Sequence, residues 1–450
     1  LVGVFYDTDD DNVISLELNF SEECCHRWRV RAYDDSGKDT GWVLSSWYCV
    51  DNTPPVTTKE IGIPLMIING DWHLCTIDSG NVGLYTSMAM DSEGYLHISY
   101  YGITHGDLRY ACQDAGGWHM GTVDSIGDVG WWTSLALDSD DYPHISYYDD
   151  TNTALKYVYM DSSGWHLDTV ANFADVGEYT SIALDSQDYP HISYYDNSHG
   201  DLRYSYMDSS GWHRDPPIDS TGNVGLYTSL ALDCCGYPHI SYYDATNDAL
   251  KYAYKDSIGW HTSTVDSTGN VGLYTSLALD SICYPRISYY DATRGDLKYA
   301  YMNSCGWNIT TVDSTGNVGG YTSLAWSGGN YPQISYYDFT NGNLKYAYKD
   351  SSGWHLDTVD STSIEVGMYT SLVLDSDGYP HISYYDETNG ALKFAHQDSG
   401  RLYVVTTGTP IWLNTTDLGP YCAVGCNYLN PYCAVGCNYT HYEVWWDSDG

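Results

Sequence analysis

Six aspartates recur directly after the tripeptide Ser-Tyr-Tyr: Asp149, Asp196, Asp244, Asp291, Asp338 and Asp386, with Gly102 in that place in the first copy. Carboxylates repeated on one face would concentrate negative potential. That chemistry suits Ca²⁺, which takes oxygen ligands, or hydroxyl-rich glycans held by Asp, Asn, Tyr and Trp. These six are therefore candidate ligand-face residues. The competing reading is that Asp, Asn and Gly are simply the residues β-turns require. A second carboxylate group, Asp7, Asp9 and Asp11, has the alternate spacing of a calcium loop but lacks its Gly and its distal Glu. Calcium is the one cofactor these patterns suggest.

Other reactive residues carry less. His97, His144, His191, His239 and His381 precede Ile-Ser-Tyr-Tyr, but two copies have Arg286 and Gln333 instead. A ring of metal ligands would tolerate that poorly, so these histidines are expected to make structural hydrogen bonds. No Gly-x-Ser-x-Gly, His-Glu-x-x-His or phosphate loop occurs. An active site normally breaks repeat symmetry with a nucleophile, base or charge cluster. The copies here differ by small swaps, and the chain is not expected to be an enzyme. Asn19, Asn308, Asn414 and Asn438 lie in N-glycosylation patterns.

The charge balance narrows the partners. The chain has 450 residues, 59 acidic and 18 basic, for a formal charge of −41. Nucleic acid is bound by neutralising phosphates with Lys and Arg, so no nucleic-acid partner is expected, nor an anionic membrane surface. No stretch is apolar enough to span a bilayer as a helix. The chain opens at Leu1, which suggests a processed or partial chain. With the sequons and 13 cysteines, the expected setting is extracellular, at a cell surface.

The elements that must position these residues follow from a repeat. Ile-Ser-Tyr-Tyr begins at Ile98, Ile145, Ile192, Ile240, Ile287, Ile334 and Ile382, a period of 47 or 48. A Trp returns on the same beat, from Trp72 to Trp354. One unit reads as four strands: Tyr227–Asp233, Pro238–Asp244, Ala249–Asp256 and Trp260–Asp266, separated by Gly, Asn, Asp and Pro. The 47 tyrosines and 16 tryptophans suit strands. Four strands in about 45 residues is the arithmetic of a propeller blade. The chain is expected to be all-β: a seven-bladed propeller over 70–407, with Tyr227–Asp233 and its equivalents nearest the axis. Trp72–Asp78 should complete the last blade and close the ring, although Arg401–Thr407 competes for that place. Two loop families should share one face: the outer-to-inner connections, such as 266–272, and the turns after Ser-Tyr-Tyr.

The unit resembles propeller repeats of the NHL and BNR kind, in which an Ala-x-Asp-x-x-Gly turn leads into a Val/Ile-x-Tyr-x-Asp strand. The first copy keeps the turn as Ala89-Met-Asp91-Ser-Glu-Gly94; the last has Val373 for the Ala. The resemblance spans about 330 residues. It implies the fold and is nearly silent on activity. Sialidase-like propellers carry an arginine cluster, and no such cluster stands in this sequence.

The flanks resemble a divided module. Arg27–Pro55 resembles the last strands of a fibronectin type III or related immunoglobulin-like domain, which needs about seven strands in all. Residues 1–56 are thus expected to be a partial sandwich and 57–69 a linker. The tail 408–450 ends in Thr440-His-Tyr-Glu-Val-Trp-Trp-Asp447, which resembles a further strand of that class. An incomplete sandwich can be filled by a neighbour's strand, and head-to-tail filling yields a filament; the simpler alternative is that the chain is a fragment from which the rest of that domain is missing. Two functions follow as expectations: a structural subunit of a surface fibril whose partner is itself, or a glycan-binding adhesin. The tail also holds a duplicated Pro-Tyr-Cys-Ala-Val-Gly-Cys-Asn-Tyr, from Pro420 and from Pro431, for which we have no physical account. Cys234, Cys283 and Cys305 stand where sister units have Ser, Asp or Gly, and are not expected to be structural.

Overall fold

The computed structural model describes residues 72–326 and 331–397 in full, and the backbone of short strands outside them. Asp7, Asp9, Asp11, Asn19 and Asn438 lie outside the described residues, as does the side chain of Asn414. Most of the two flanking segments, 1–56 and 408–450, lies outside them too.

Seven four-stranded antiparallel sheets follow one another along the chain. Blade 4 shows the pattern: inner strand Val224–Leu232, second strand Pro238–Asp244, third strand Ala249–Lys255 and outer strand Trp260–Asp266. Blade 1 begins at Val82 and blade 7 at Val366. The outer strand of blade 7 is Trp72–Ser79, beside Ala391–Gln397. The ring therefore closes as expected. Arg401–Val405 pairs elsewhere, antiparallel to Leu65–Ile68. The chain divides into two units, His73–His396 and the two termini together. Pairing between segments from both ends within one chain leaves the expected filament without support.

The inner strands begin three residues earlier than the sequence suggested. Val224 and Gly225 belong to the strand, and the register slips between Val224 and Leu226 and again before Ser229. This is a bulge, which re-aims a side chain inside a continuing ladder. Gly225 has φ +106°, and a Cβ there would lie 2.7 Å from the Cα of Leu202 in blade 3. Only glycine allows that approach. The same collision with a leucine recurs in every blade, as at Gly272 against Leu250.

The Tyr-Thr-Ser run that follows ties the blades together. The hydroxyl of Thr133 donates to Ser99 of the preceding blade at 2.8 Å. The oxygen of Ser87 accepts from the backbone N–H of Leu135 in the next blade at 3.0 Å. At the seam, Ser371 accepts from the N–H of Met88 at 3.0 Å, so the girdle is continuous. Between adjacent sheets lies the core. Leu250, Tyr252 and Val265 of blade 4 pack on Val271, Leu277, Ile287 and Tyr289 of blade 5. Each such Leu or Ile contributes about 2 kcal/mol by leaving water. The recurring Trp packs edge-on against an aromatic of the preceding blade, as Trp212 does on Tyr157 at 5.2 Å and 79° and Trp118 on Phe394 at 5.8 Å and 64°.

A buried polar group lies in most of these seams. Asp124 accepts from Tyr147 at 2.7 Å and from Lys156 at 2.8 Å. Asp219, Asp313 and Asp360 repeat it with a Tyr and a Lys of the next blade. Blade 3 departs. Ala171 stands in the Asp position, so Tyr194 turns to Ser205 at 3.1 Å and Arg203 to Asp196 at 2.8 Å. Its outer strand is short, Gly211–Arg214, because Pro216 and Pro217 follow and proline has no N–H for the ladder.

Candidate functional site

The two loop families share one face, as expected, and are stitched together there. The N–H of Asn270 donates to Thr293 Oγ1 at 2.7 Å, and that of Asp128 to Thr151 Oγ1 at 2.8 Å. The six aspartates after Ser-Tyr-Tyr lie beneath that surface. Asp149, Asp196, Asp244, Asp291, Asp338 and Asp386 are all buried, at most 3% exposed. Asp149 accepts from the backbone N–H and side-chain amide of Asn152, both at 2.9 Å. Asp244, Asp338 and Asp386 do the same with Asn247, Asn341 and Asn389. Asp196 faces His199 and Arg203, and Asp291 faces Arg294. These carboxylates cap turns; the turn reading of their repetition fits their placement.

What the face presents instead is an aromatic ring about the axis. The bulge in each inner strand forces the next aromatic into left-handed backbone: Tyr85, Trp132, Tyr179, Tyr227, Tyr274, Tyr321 and Tyr369 all have φ between +48° and +54°. Such a conformation costs a bulky residue roughly 1–3 kcal/mol. It turns seven aromatics towards one another. Successive ring centroids lie 5.5, 4.7, 4.6, 4.8, 4.5 and 4.4 Å apart, and Tyr369 meets Tyr85 at 4.6 Å, so the circle closes. All seven are half-buried. Burial pushes the Tyr179 and Tyr227 phenols above their ordinary range, so the hydroxyls stay neutral.

A second tier of tyrosines surrounds this ring. Tyr101 donates to Asp128 of the next blade at 2.8 Å, Tyr148 to Asp175 at 2.7 Å, and Tyr195 to Asn223 at 2.7 Å. Tyr243 and Tyr290 reach Asn270 and Asn317.

Symmetry breaks at the residue before each ring aromatic. Blades 1, 4, 5 and 7 have Leu84, Leu226, Leu273 and Met368 there. Blade 2 has Trp131, whose indole N–H donates to Asp128 at 2.7 Å and whose ring lies 5.7 Å from Tyr85. Blade 6 has Gly320, and the ring of Phe339 occupies the space a Cβ would need. Blade 3 has Glu178. Burial, then the charges of Asp175 and Asp150, push its carboxyl up to about 7. A half-buried carboxyl titrating near neutrality beside an aromatic ring can donate or accept a proton.

The histidines before Ile-Ser-Tyr-Tyr behave as expected. His144 bonds Tyr157 through Nδ1 and faces Asp138 at 3.3 Å through Nε2. Arg286 substitutes by pairing with Asp280, and Gln333 by accepting from Tyr346. Asn308 is half-buried on the outer strand of blade 5, its amide donating to Gly306 O at 3.1 Å. Among the described residues no cluster of His, Cys, Asp or Glu could hold a metal ion. The axial ring was visible in the sequence only as Tyr-Thr-Ser within a strand. The signal that marks it is Val-Gly-x-Tyr, whose glycine announces the bulge, and Glu178 is the one acidic residue at x.

No family profile and no curated protein matches this chain. Solved structures do. A polysaccharide lyase, an ulvan lyase bound to -[GlcA(1-4)Rha3S]-, matches over 77% of this chain and 97% of its own, with 12% identity and a TM-score of 0.50. The fucose-binding Aleuria aurantia lectin matches over 67% and 98%, at 12% identity and 0.42. The NanB sialidase of Streptococcus pneumoniae matches over 74% and 70%, at 11% and 0.40. The lyase match agrees with the all-β propeller read from the blades. It also corrects the expectation that the chain is not an enzyme. Enzymes occur on this architecture, so the lack of a familiar catalytic motif gives no ground for excluding catalysis.

Proposed function

We propose that this chain is a carbohydrate-binding propeller whose ligand lies over the axial aromatic ring. The observation that carries the reading is the closed circle from Tyr85 to Tyr369, half-buried on the loop face. Ligand sites combine aromatic walls with a few placed polar groups. Here the walls are seven rings, and the polar groups are Glu178, Asp128, Asp175 and the tyrosine hydroxyls. The formal charge of −41 favours a neutral or cationic saccharide over an anionic one. A lyase of this fold is described bound to a saccharide, so the architecture is compatible with such a ligand. An extracellular setting fits the same reading. A glycan array followed by calorimetry tests it. Binding should weaken at least tenfold in Tyr227→Ala and Trp132→Ala, while Leu356→Ala on the rim should bind as the parent does. Equal affinity in all four proteins would remove the reading.

One observation favours turnover as a second reading. Glu178 has the protonation behaviour of a general acid or base. Release of new chain ends from a bound polysaccharide, lost in Glu178→Gln with binding retained, would support it. Unchanged release in that variant would exclude Glu178 from the chemistry.

A further inference from the structure

On the opposite face, six of the seven inner strands lead into a turn built on an aspartate, from Asp91 to Asp375. Asp233 Oδ1 accepts from the N–H groups of Cys235 and Tyr237, both at 2.8 Å. Neighbouring turns are tied to each other across the blade seam. Ser92 of blade 1 donates its N–H to Asp141 Oδ1 at 3.0 Å and its hydroxyl to Oδ2 at 2.5 Å. Ser139 of blade 2 repeats both bonds to Asp188, at 3.0 and 2.6 Å. The accepting residue is left-handed each time, with φ +65° at Asp141 and +63° at Asp188.

Between blades 4 and 5 both partners are cysteines. Cys234 holds the serine position and Cys283 the aspartate position, with φ +63°. Cys234 lies beside Cys283 and is the first-named neighbour acting on its thiol. The two positions of the Ser–Asp tie are thus kept with both side chains replaced. Cys234 is exposed and Cys283 partly so, and both are open to a soluble reagent. Cys235 sits where blades 1, 2 and 3 have Glu93, Asp140 and Gln187, outside the Ser–Asp tie.

We propose that Cys234 and Cys283 form a disulfide that clamps blade 4 to blade 5. The oxidant is a small-molecule disulfide such as oxidised glutathione. One cysteine thiolate attacks it, its S–S bond breaks, and one glutathione thiol leaves with a proton. The second cysteine then attacks the mixed disulfide, forming the protein S–S bond and releasing the second glutathione thiol. Two protein thiols are oxidised and one glutathione disulfide is reduced.

The test uses the full chain equilibrated with oxidised glutathione, alkylated and digested with trypsin. Asp215–Lys251 carries Cys234 and Asp256–Arg286 carries Cys283, so a bridge joins two separate peptides. The linked pair should dominate in the parent and in Cys235→Ser, and vanish in Cys234→Ser. Thermal unfolding should shift down on reduction in the parent. It should not shift in the double variant Cys234→Ser, Cys283→Asp, which restores the tie seen between blades 1 and 2 and guards against a folding defect. Two free thiols after oxidation, or a bridge surviving in Cys234→Ser through Cys235, would overturn the proposal.

Discussion

The Nδ1 atom of His381 faces the ring of Phe394, where the first four blades present a tyrosine hydroxyl. The two rings lie 5.8 Å apart at 24°, and Nδ1 is buried without a hydrogen-bond partner. In blade 2 the corresponding His144 Nδ1 bonds Tyr157. A buried polar atom left unpaired costs about 1–3 kcal/mol. Phe394→Tyr should therefore stabilise the propeller by about 1 kcal/mol in chemical denaturation. An unchanged or lower midpoint would show that a water or another rotamer already serves His381.

The seam carboxylates should respond more strongly. Asp360 accepts from Tyr384 at 2.7 Å and pairs with Lys393, which is only 8% exposed. Removing one partner of a buried pair strands the other and costs roughly 3–5 kcal/mol. Asp360→Ala should lose about that much. The same change at the exposed pair of Asp114 with His119 should leave the denaturation midpoint close to the parent's. Comparable losses at the two sites would contradict the seam account.

Backbone approach sets a third outcome. At Gly225 a Cβ meets the Leu202 backbone at 2.7 Å and φ is +106°. Gly225→Ala should cost about 2 kcal/mol or more, from strain and displaced packing together. Gly236, with φ +80° and nothing within 4 Å of a Cβ, should lose about 1 kcal/mol, since only the conformational term remains. Equal losses would mean that the blade-to-blade approach is not tight.

Protonation of Glu178 gives a fourth. Its carboxyl is raised by burial first, to about 7 from 4.5. For an acid whose folded pKa is raised, the stabilising protonated form is fully present below the unfolded value. That contribution is lost as pH climbs through the folded value. Stability should fall between about pH 4.5 and 7 by roughly 1–2 kcal/mol, after allowance for partial solvent screening. Glu178→Gln should remove that component of the slope. A variant with an unchanged pH profile would place the titration elsewhere.

The architecture was legible because its signals are local and repeated seven times. Alternating strands, turn residues and the returning Trp gave blade number, strand order and ring closure. The site was less so. Asp149 and its equivalents drew attention because they repeat, and they repeat because every blade needs the same capped turn. The ring aromatics lay hidden inside strands, since nothing in Tyr-Thr-Ser alone announces a left-handed backbone; the preceding glycine does. Cys234 and Cys283 lie 49 positions apart, and only the offset between neighbouring turns brings them together. Glu178 was passed over as one small swap among many, although symmetry-breaking residues were the ones to seek.

The most direct test of the central claim is a crystal structure of the chain with the tightest-binding oligosaccharide from the array. The account predicts sugar density over the circle of Tyr85, Trp132, Tyr179, Tyr227, Tyr274, Tyr321 and Tyr369, with polar contacts towards blades 2 and 3. Sugar seated on the outer strands or the opposite face, with the axial ring bare, would contradict it.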